Sequence, residues 1–466
     1  MTEIEQQHLS DLRAVQEQVK FFYSQKRKVK IYHGSTTSTR TQKFEKGKFV
    51  DVSRLDRIVE INSAGPYVLV EPNVPMDKLV EATLRYGLVP PVVPELPLIT
   101  VGGSIQGGAG ESSSFKYGGV HDCCLEYEVV LGNGEIITAS PTQNKDLFYG
   151  IACSYGSLGI ITLVKLSLVP AKDFVRLKYF IVGGFDEAVG LIEENVGEAV
   201  DFIDGIIFTK NRGVVMIGNF TDKNDLPVST FSKRSDEWFY LHADEISRRH
   251  DAYEEIIPIK DYLFRYDRGV FWLGRQALSF FKIPFTRLTR FLLDRALKSR
   301  TLSLVGQATS TSQKYFVQDL CLPKENFLNF LQFVDEELHI YPLWLVPLRP
   351  AGSLDKLSPN YILTDLVINA GVWGKIKGDY FNVNRKVEGK LRELKGRKVL
   401  YAHAYYPRDE FWKIYDHSWY SQLREKYFAS SVFPDLYDKT HVSEKYQPSV
   451  LSGIWKVLRS SKLSVS

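Results

Sequence analysis

The stretch TVGGSIQGGAGESSS, residues 100–114, decides the fold because it places five glycines and four serines in fifteen positions. Glycine is costly in conformational entropy, so a cluster of glycines marks backbone that approaches a ligand closely or takes positive φ. Such backbone presents a row of N–H groups that can bind an anion. We therefore predict an anion-binding segment here, and a glycine-rich surface turn without a ligand is the alternative.

Two common phosphate-binding motifs do not fit the chain. A phosphate loop ends in Gly-Lys-Ser or Gly-Lys-Thr, whereas the candidate Gly47-Lys48 is followed by phenylalanine. A dinucleotide fingerprint needs GxGxxG between a strand and a helix, with an acidic residue about 20 positions later. A second loop, HGSTTSTR at residues 33–40, also follows a predicted strand and is rich in hydroxyl side chains. Two such loops beside one sheet predict a pyrophosphate that is held from both sides.

The hydrophobic pattern predicts an α+β fold with short strands. Apolar residues at helical spacing from Leu9 to Phe22 indicate an opening amphipathic helix. Asn133-Gly134 lies between two apolar runs and predicts a β-hairpin. The irregular order of helices and strands differs from the regular alternation of a Rossmann domain. The predicted divisions are a first domain over 1–172 with an N-terminal helix over 1–25, a second domain over 173–400 and a C-terminal segment over 401–466.

Bulk composition excludes several classes of protein. A length of 466 residues predicts two to three domains, and a net charge of +4 gives no reason to expect a nucleic-acid partner. Four cysteines without CxxC spacing indicate neither a disulfide scaffold nor a metal site. The first 30 residues carry charges throughout, and no apolar run reaches about 18 residues, so we expect no signal peptide and no transmembrane anchor.

Longer strings of the sequence resemble one known family. They are PELPLITVGGSIQGGAGESSSFKYG from residue 94, RGVFW from 268, IYPLWLVPLRP from 340, YAHAYYPRDEFWKIYDHSWYSQLREKY from 401 and FPDLYDK from 433. These strings are similar to the delta-24 sterol reductases, within the FAD-binding superfamily of the vanillyl-alcohol oxidase and p-cresol methylhydroxylase type. The resemblance covers nearly the whole chain. It implies a two-subdomain FAD-binding domain followed by an α+β cap that covers the flavin.

The resemblance also implies a set of cofactor-binding residues. The residues expected to line the flavin are Thr100, Val101, Gly102, Gly103, Ser104, Ile105, Gln106, Gly107, Gly108, Ala109, Gly110, Glu111 and Ser112. The residues expected at the pyrophosphate are Ser35, Thr36, Thr37 and Ser38, and those at the adenine side are Gly156, Gly159, Ile160 and Ile161. Some flavoproteins of this fold attach FAD covalently through His or Cys, which makes His33, His121, Cys123 and Cys124 the candidates. We expect noncovalent FAD.

The activity implied by the resemblance is NADPH-driven reduction of a carbon–carbon double bond in a sterol or isoprenoid side chain. Reduction of an isolated double bond requires hydride at one carbon and a proton at the other, so an acid must stand on the substrate side. Tyr401 is the first candidate and His403 the second, two residues on along a predicted strand that begins RKVLYA. The expected substrate-pocket residues are Arg268, Trp272, Tyr341, Trp344 and Tyr405.

Two other functions stay open at this stage. The first is an FAD-dependent oxidase or dehydrogenase of an alcohol or hydroxy acid, which would have the same fold but would oxidise its substrate. The second is a flavin- or lipid-binding protein without turnover. Flavin photoreduction followed by mixing with air or with an alkene distinguishes the first from a reductase, whereas the second would bind FAD and resist reduction by any nicotinamide.

Residues 260–300 are aromatic and basic, with ten Lys or Arg against three Asp. Apolar residues near helical spacing, with Arg287, Arg290 and Arg295 between them, predict a basic amphipathic helix near residues 270–298. Such a helix can lie in a bilayer interface and take a lipid from it, whereas an ordinary cap helix is the alternative. We therefore expect a cytoplasmic protein, with a peripheral position on a membrane face as the finer expectation.

Overall fold

The computed structural model describes residues 1–34, 45, 47–223, 225–299, 301–302 and 315–442. The predicted α+β class is confirmed, because helices and mainly antiparallel sheets alternate along these residues. The described α-helices are α1 Glu3–Ser24, α2 Met76–Leu84, α3 Val101–Gly107, α4 Ser114–Tyr117, α5 Lys145–Ile151, α6 Phe185–Asn195, α7 Phe239–Arg249, α8 Ile259–Leu263, α9 Leu273–Phe280, α10 Arg287–Leu292, α11 Lys324–Phe333, α12 Tyr380–Glu393, α13 Arg408–Ile414, α14 His417–Lys426 and α15 Leu436–Thr440.

The strands form two main sheets and two short pairs. The described strands are β1 Lys30–Tyr32, β2 Phe49–Asp51, β3 Ile58–Asn62, β4 Tyr67–Val70, β5 Leu88–Val89, β6 Cys124–Val130, β7 Ile136–Ala139, β8 Ile160–Ser167, β9 Val169–Pro170, β10 Phe174–Val182, β11 Phe202–Thr209, β12 Arg212–Thr221, β13 Ala252–Pro258, β14 Tyr315–Pro323, β15 Leu343–Leu348, β16 Val367–Lys375 and β17 Arg397–Lys398. β1 pairs with β2 in parallel, and β5 pairs with β9 antiparallel.

Helix α1 forms where the apolar spacing predicts it. Thr2 and Glu5 make a capping box, in which each side chain accepts a hydrogen bond from the other residue's backbone N–H. The helix also buries polar groups: His8 Nδ1 lies 2.8 Å from Glu71 Oε1, and His8 Nε2 lies 3.2 Å from Glu128 Oε1. Glu128 belongs to β6, so these ion pairs fasten α1 to the first sheet.

The first sheet is five-stranded and antiparallel, in the order β3-β4-β8-β6-β7. The predicted hairpin joins β6 to β7. Gly134 takes a φ of +82° there, and the Glu135 N–H donates to Asn133 Oδ1 at 3.0 Å. The glycine therefore supplies the left-handed residue that the turn requires.

The second sheet is eight-stranded, in the order β13-β10-β12-β11-β15-β16-β14-β17, and every pairing is antiparallel. Helices α6, α11 and α12 pack on this sheet and bury a large apolar cluster with it. A separate aromatic cluster centres on Phe271, whose ring lies 3.9 Å from Tyr266, 4.3 Å from Trp373 and 4.9 Å from Trp344 between centroids. That cluster belongs to the same core as Val101 and the first sheet.

The last strand of the short pairs ends at Pro170 and the second sheet begins at Phe174. The predicted boundary near 172 lies between them, and the division of the chain into domains stays a prediction. Strand β17 extends only to Lys398 before the chain turns into the C-terminal helices. Among the described residues, no helix combines the length and apolar character needed to cross a membrane.

The predicted single helix near residues 270–298 is wrong. Helix α9 ends at Phe280, α10 begins at Arg287, and a 3₁₀ turn covers Asp294–Leu297. Pro284 lies in the break, because proline lacks the N–H that a continuous helix requires. The apolar residues therefore do not share one buried stripe: Leu278 is buried, whereas Leu288 is 65% exposed.

Candidate functional site

The glycine-rich stretch, which the sequence predicts to be an anion-binding segment, forms a short helix followed by a turn. Thr100 caps α3, since its Oγ1 accepts a hydrogen bond from the Gly103 N–H at 3.1 Å. The helix ends at Gly108, whose φ of +64° is a left-handed conformation that glycine adopts without strain. A Cβ built on Gly107 would meet no described atom within 4 Å. Space for a ligand therefore lies beside the last turn of α3.

Other members of the stretch hold α3 in the interior. The buried side chains are Val101, Ser104 and Ile105. A Cβ on Gly102 would lie 2.7 Å from the Cβ of Pro72, and one on Gly110 would lie 3.1 Å from Leu348 of β15. The carbonyl of Ala109 accepts a hydrogen bond from the Val120 N–H at 2.9 Å. One side of the stretch is thus packed and the side at Gly107 is open.

Gln106 joins α3 to the second predicted cofactor segment. Its Oε1 accepts hydrogen bonds from the Gly156 N–H at 3.0 Å and from the Ser154 hydroxyl at 3.3 Å. Tyr155, between them, donates its hydroxyl to the Gly107 carbonyl at 3.4 Å. These contacts bring together two segments that are about 50 residues apart in the chain.

The segment after β1 approaches the same place. A Cβ on Gly156 would lie 2.7 Å from Cδ1 of Ile31 and 3.5 Å from Nζ of Lys439, which also donates to the Gly156 carbonyl at 3.4 Å. Burial, and then the positive charge of Lys439, lowers the pKa of His33. A cation therefore lies beside both segments. The predicted pyrophosphate residues Ser35, Thr36, Thr37 and Ser38 follow directly and lie outside the described residues.

The remaining predicted adenine-side residues pack into the core. A Cβ on Gly159 would lie 2.7 Å from Cγ1 of Val129, so the glycine allows two strands to approach. Ile160 and Ile161 are buried at the start of β8. Protein atoms surround both side chains, so only the backbone groups of these residues could face a ligand.

Glu111 and Arg265 form a buried charge cluster with Asp204. Arg265 Nη2 lies 2.8 Å from Glu111 Oε1 and 2.9 Å from Asp204 Oδ2. Burial alone would lower the pKa of Arg265, but Asp204 and Glu111 raise it well above its ordinary value. Burial raises the pKa of Glu111, and Arg265 opposes that rise. The carboxylate of Glu111 is therefore occupied by the arginine, although the sequence indicated a residue that lines the flavin.

The same cluster connects the glycine-rich stretch to the second sheet. Asp204 lies on β11 and accepts hydrogen bonds from the Tyr266 hydroxyl at 2.7 Å and from Trp344 Nε1 at 3.0 Å. The carbonyl of Ser112 accepts the Ile203 N–H at 2.7 Å, and its hydroxyl lies 3.1 Å from that of Tyr262. Residues 111 and 112 therefore pack against the second sheet and the segment of Tyr262 and Arg265.

Tyr401, the first candidate acid, contacts a carboxyl group that the sequence analysis did not single out. Its hydroxyl donates to Asp319 Oδ2 at 2.7 Å, and Asn369 Nδ2 donates to Asp319 Oδ1 at 3.2 Å. Burial raises the pKa of Asp319 to about 6, although both hydrogen bonds lower it. Burial, and then Asp319, raises the pKa of Tyr401 well above its ordinary value, and the charges of Glu95 and Tyr155 add to this.

Glu95 is a further acid in this neighbourhood. Burial raises the pKa of Glu95 to about 8, the negative charges of Glu111 and Asp319 add to the rise, and Arg265 opposes it. A carboxyl group with this pKa is protonated at neutral pH. Tyr155 donates a hydrogen bond to the Gly107 carbonyl, and its charge adds to the rise in the pKa of Tyr401. The open side of α3 and these acids therefore face the same region.

His403, the second candidate, does not share a strand face with Tyr401. Strand β17 ends at Lys398, and residues 400–402 form a turn, so the alternation expected from a strand is absent there. His403 Nδ1 lies 3.3 Å from the Tyr380 hydroxyl, and its carbonyl accepts Gln318 Nε2 at 3.3 Å. The strand prediction is wrong because the chain leaves the sheet to reach α13.

The five predicted substrate-pocket residues occupy separate places. Trp272 and Trp344 both adjoin the aromatic cluster. Tyr405 stacks on His403, with ring centroids 6.2 Å apart. Arg268 donates to Asp294 at 2.8 Å and to the Asp236 and Arg234 carbonyls, and Tyr341 donates to Asp335 at 2.8 Å. Only the two tryptophans are brought together by the described contacts.

The candidates for covalent flavin attachment, apart from His33, are buried. His121 Nε2 lies 2.9 Å from the Ser358 hydroxyl, and His121 Nδ1 lies 4.0 Å from the Cys153 sulfur. Burial would lower the pKa of His121, but Cys153 and Asp122 raise it to about 10. Cys123 and Cys124 contact backbone carbonyls through their sulfurs.

Comparison with known proteins supports the resemblance seen in the sequence. A family model described as an FAD binding domain matches residues 8–140. The Delta(24)-sterol reductase of Homo sapiens is 29% identical over 449 residues, which cover 93% of this chain and 86% of the human protein. The chain is a homologue of the Delta(24)-sterol reductases. The resemblance stated from the sequence is confirmed.

Other sterol reductase homologues match over similar lengths. The homologue from Caenorhabditis elegans is 27% identical over 463 residues, covering 93% of this chain and 87% of that protein. The Delta(24)-sterol reductase of Arabidopsis thaliana is 27% identical over 440 residues, covering 86% and 78%. Cytokinin dehydrogenase 8 of rice is 33% identical over only 139 residues, or 29% of this chain. The similarity to the sterol reductases therefore includes the cap.

Four residues of this sterol reductase homologue were missed as site residues. Glu95 and Lys439 lie inside strings quoted for the resemblance, and the charge of Glu95 in the otherwise apolar run PELPLI was an available signal. Asp319 and Arg265 lie in sequence without a motif. Only the sheet pairing that places β14 beside β16 and β17 brings Asp319 to Asn369 and Tyr401.

Proposed function

We propose that this protein is an FAD-dependent reductase that uses NADPH to reduce a carbon–carbon double bond in a sterol or isoprenoid side chain. The observation that carries the proposal is the similarity to Delta(24)-sterol reductases across 93% of the chain, through both the FAD-binding part and the cap. Similarity confined to the cofactor domain would indicate only that the protein binds a flavin. Because the similarity continues through the cap, a shared reaction class is its simplest explanation.

The residues near α3 fit the demands of FAD. Two phosphate groups that leave water need many N–H donors and a compensating positive charge. A Cβ on Gly107 would meet no described atom, which leaves room for a ligand there, and the ammonium of Lys439 beside Gly156 supplies a positive charge. When bound, FAD would carry the hydride equivalent from NADPH to the substrate. We expect noncovalent attachment, since His121, Cys123 and Cys124 are occupied by interior contacts.

Tyr401 is the proposed proton donor at the second alkene carbon. Its hydroxyl stays protonated at neutral pH because burial and Asp319 raise its pKa well above the ordinary value. His403 is the alternative donor, and its ring contact with Tyr380 makes it the weaker candidate. Trp272 and Trp344, which adjoin the aromatic cluster, would provide apolar surface for a hydrocarbon side chain.

The proposal is tested with purified protein under anaerobic conditions. Heat or acid denaturation should release intact FAD into the supernatant, because we expect no covalent bond. NADPH should then bleach the bound flavin, and a sterol with a side-chain double bond should restore its absorbance and yield the saturated product by mass spectrometry. Reduction of the flavin by an alcohol or hydroxy acid instead would support an oxidase, and failure of every reductant would support a binding protein.

We further propose a peripheral position on a membrane surface. Four large apolar side chains of the α9–α10 region are exposed, namely Phe281 at 43%, Leu288 at 65%, Phe291 at 41% and Leu292 at 59%. We call these residues the α9–α10 surface. Lys282, Arg287 and Arg295 are exposed in the same region. Exposed apolar groups with basic neighbours suit an anionic lipid interface, from which a water-insoluble substrate would enter.

A further inference from the structure

We propose that Asp319 supplies the proton that Tyr401 delivers to the double bond, so that the two side chains form a proton relay. The inference rests on the proposed reduction and identifies how its proton is provided. Tyr401 alone is a poor proton source, because a tyrosine that loses its proton in a buried site becomes a strongly basic anion. The nearest described acid is the Asp319 carboxyl, whose Oδ2 lies 2.7 Å from the Tyr401 hydroxyl.

Asp319 is held in position at both its carboxyl group and its backbone. Asn369 of β16 donates to its other oxygen at 3.2 Å. A Cβ on Gly371 would lie 3.2 Å from the same oxygen, so the neighbouring strand approaches the carboxyl closely. The Asp319 carbonyl accepts the Val399 N–H at 3.0 Å, which ties β14 to the segment that leads into Tyr401. The donor and the relay are thus positioned by the sheet itself.

The electrostatic surroundings suit a group that exchanges protons near neutral pH. Burial raises the pKa of Asp319 to about 6, within reach of the operating pH that favours general acid catalysis. The titratable groups that face it are Tyr401, Glu95 from the loop before α3 and Cys321 on its own strand. Burial raises the pKa of Cys321 well above its ordinary value, so this thiol stays neutral.

The Tyr401 O–H bond breaks as a C–H bond forms at one alkene carbon, while the other carbon receives hydride derived from NADPH. The Asp319 O–H bond breaks as the Tyr401 O–H bond forms again, which leaves the Asp319 carboxylate. Water then returns a proton to Asp319. In the carboxylate state the Tyr401 hydroxyl donates to Asp319, and this is the arrangement in the structure.

Rapid-mixing kinetics separate the relay from a structural role. In Asp319→Asn and Tyr401→Phe, flavin reduction by NADPH should stay within about 2-fold of wild type, whereas flavin reoxidation by the sterol should slow about 100-fold. The wild-type reoxidation rate should fall as pH rises through about 6, and this fall should be absent in Asp319→Asn and restored in Asp319→Glu. Equal pH profiles in wild type and Asp319→Asn would overturn the relay.

A matched pair controls for the loss of a tyrosine–carboxylate hydrogen bond. The Tyr427 hydroxyl donates to Asp146 Oδ1 at 2.7 Å, the same distance as in the Tyr401 pair. Asp146→Asn should leave both half-reactions and their pH profiles unchanged. Slowed reoxidation in this control would assign the effect to lost stability and would contradict a specific relay.

Infrared difference spectra supply a measurement that needs no turnover. Without substrate, wild type should lose protonated-carboxyl signal from Asp319 and Asp355 as pH rises through about 6, because burial raises the pKa of both groups to about 6. Asp319→Asn should lose only the Asp355 signal. A signal that is the same in wild type and Asp319→Asn overturns the relay even if the sterol is reduced. A signal present in a protein that reduces no alkene overturns the proposed function instead.

Discussion

Gly102 and Gly107 lie in the same short helix and have opposite surroundings. A side chain on Gly102 would collide with Pro72, whereas the first side-chain atom on Gly107 would enter open space. A substitution at Gly102 should therefore disturb folding, whereas a substitution at Gly107 should affect ligand binding alone. Gly103 is less informative because its Cβ would lie 3.0 Å from the Thr100 hydroxyl that caps the helix.

Gly107→Val should fold normally and lose FAD. The branched side chain would fill the space that we assign to the cofactor, and no described contact opposes it in the apoprotein. The expected result is a wild-type circular dichroism spectrum with flavin content reduced at least about 10-fold, equivalent to about 1.4 kcal/mol of binding free energy. The measurement is the ratio of flavin to protein absorbance after purification with excess FAD.

Gly190→Val is the matched control for this substitution. Gly190 also lies inside a helix, α6, and a Cβ there also meets no described atom within 4 Å. This variant should keep its full flavin content. If Gly107→Val retains FAD as well, the last turn of α3 does not border the cofactor.

At the residue scale, sequence reasoning could name candidates where one segment supplied the signal. The glycines of residues 100–114 could be singled out because they are close together in the chain, and these site assignments stay predictions. Lys439 lies 283 residues from Gly156, and Asp319 lies 82 residues from Tyr401. These contacts arise from the packing of distant segments, and no local pattern encodes them.

Among the elements, α1 depends on buried charges as well as on its apolar face. Burial would lower the pKa of His8, but Glu128 and Glu71 raise it to about 9. A group whose pKa is higher in the folded than in the unfolded state stabilises the fold only while it is protonated. The contribution of His8 is therefore fully present below about pH 6.5 and is lost as pH rises through about 9.

His8→Gln should reduce stability near pH 6 and have little effect above pH 9.5. The raised pKa corresponds to a contribution on the order of 3 kcal/mol at the lower pH, since one pKa unit is about 1.4 kcal/mol. Urea unfolding of wild type and variant at both pH values measures the difference. The exposed His250 provides the control, because His250→Gln should lower stability at neither pH. A pH-independent loss in His8→Gln would contradict the ion pair.

The elements that sequence reasoning misjudged are those whose ends are decided by tertiary contacts. The pattern of residues 270–298 indicated one helix, but Pro284 and the contacts of Arg290 with Glu237 divide it. The run RKVLYA indicated a strand, but its pairing with β14 covers only Arg397 and Lys398. By contrast, α1 and the hairpin at Asn133-Gly134 have local caps and turns, and both predictions were confirmed.

For the whole molecule, the α9–α10 surface predicts salt-dependent membrane attachment. The protein should float with anionic liposomes at low ionic strength and detach as salt is raised, because the Debye length falls to about 8 Å near 0.15 M. Changing Lys282, Arg287 and Arg295 together to Glu should abolish flotation, since each basic residue contributes about 1 kcal/mol near such a surface. Arg290 is omitted because Glu237 already pairs with it.

Reversing the charge of three exposed lysines elsewhere on the protein tests whether net charge alone explains attachment. Lys28, Lys145 and Lys413 are exposed outside the α9–α10 region. Their joint change to Glu alters the net charge by the same amount and should leave flotation and flavin content unchanged. Equal loss of flotation in both triple variants, or no flotation of the wild type at any salt concentration, would show that the α9–α10 surface is not the docking element.

The Arg265 cluster limits how this architecture can be divided and recombined. Glu111 comes from the glycine-rich stretch, whereas Arg265 and Asp204 come from the cap. A protein truncated to the cofactor domain would keep the buried Glu111 carboxylate without Arg265. A cap moved to another protein would bring Arg265 and Asp204, and that protein would have to supply a carboxylate in place of Glu111. Breaking a buried ion pair costs about 3–5 kcal/mol, a large share of the stability of an ordinary domain. We therefore expect a chimera of this chain with another flavoprotein to stay folded only if Glu111, Arg265 and Asp204 are all retained or all replaced together.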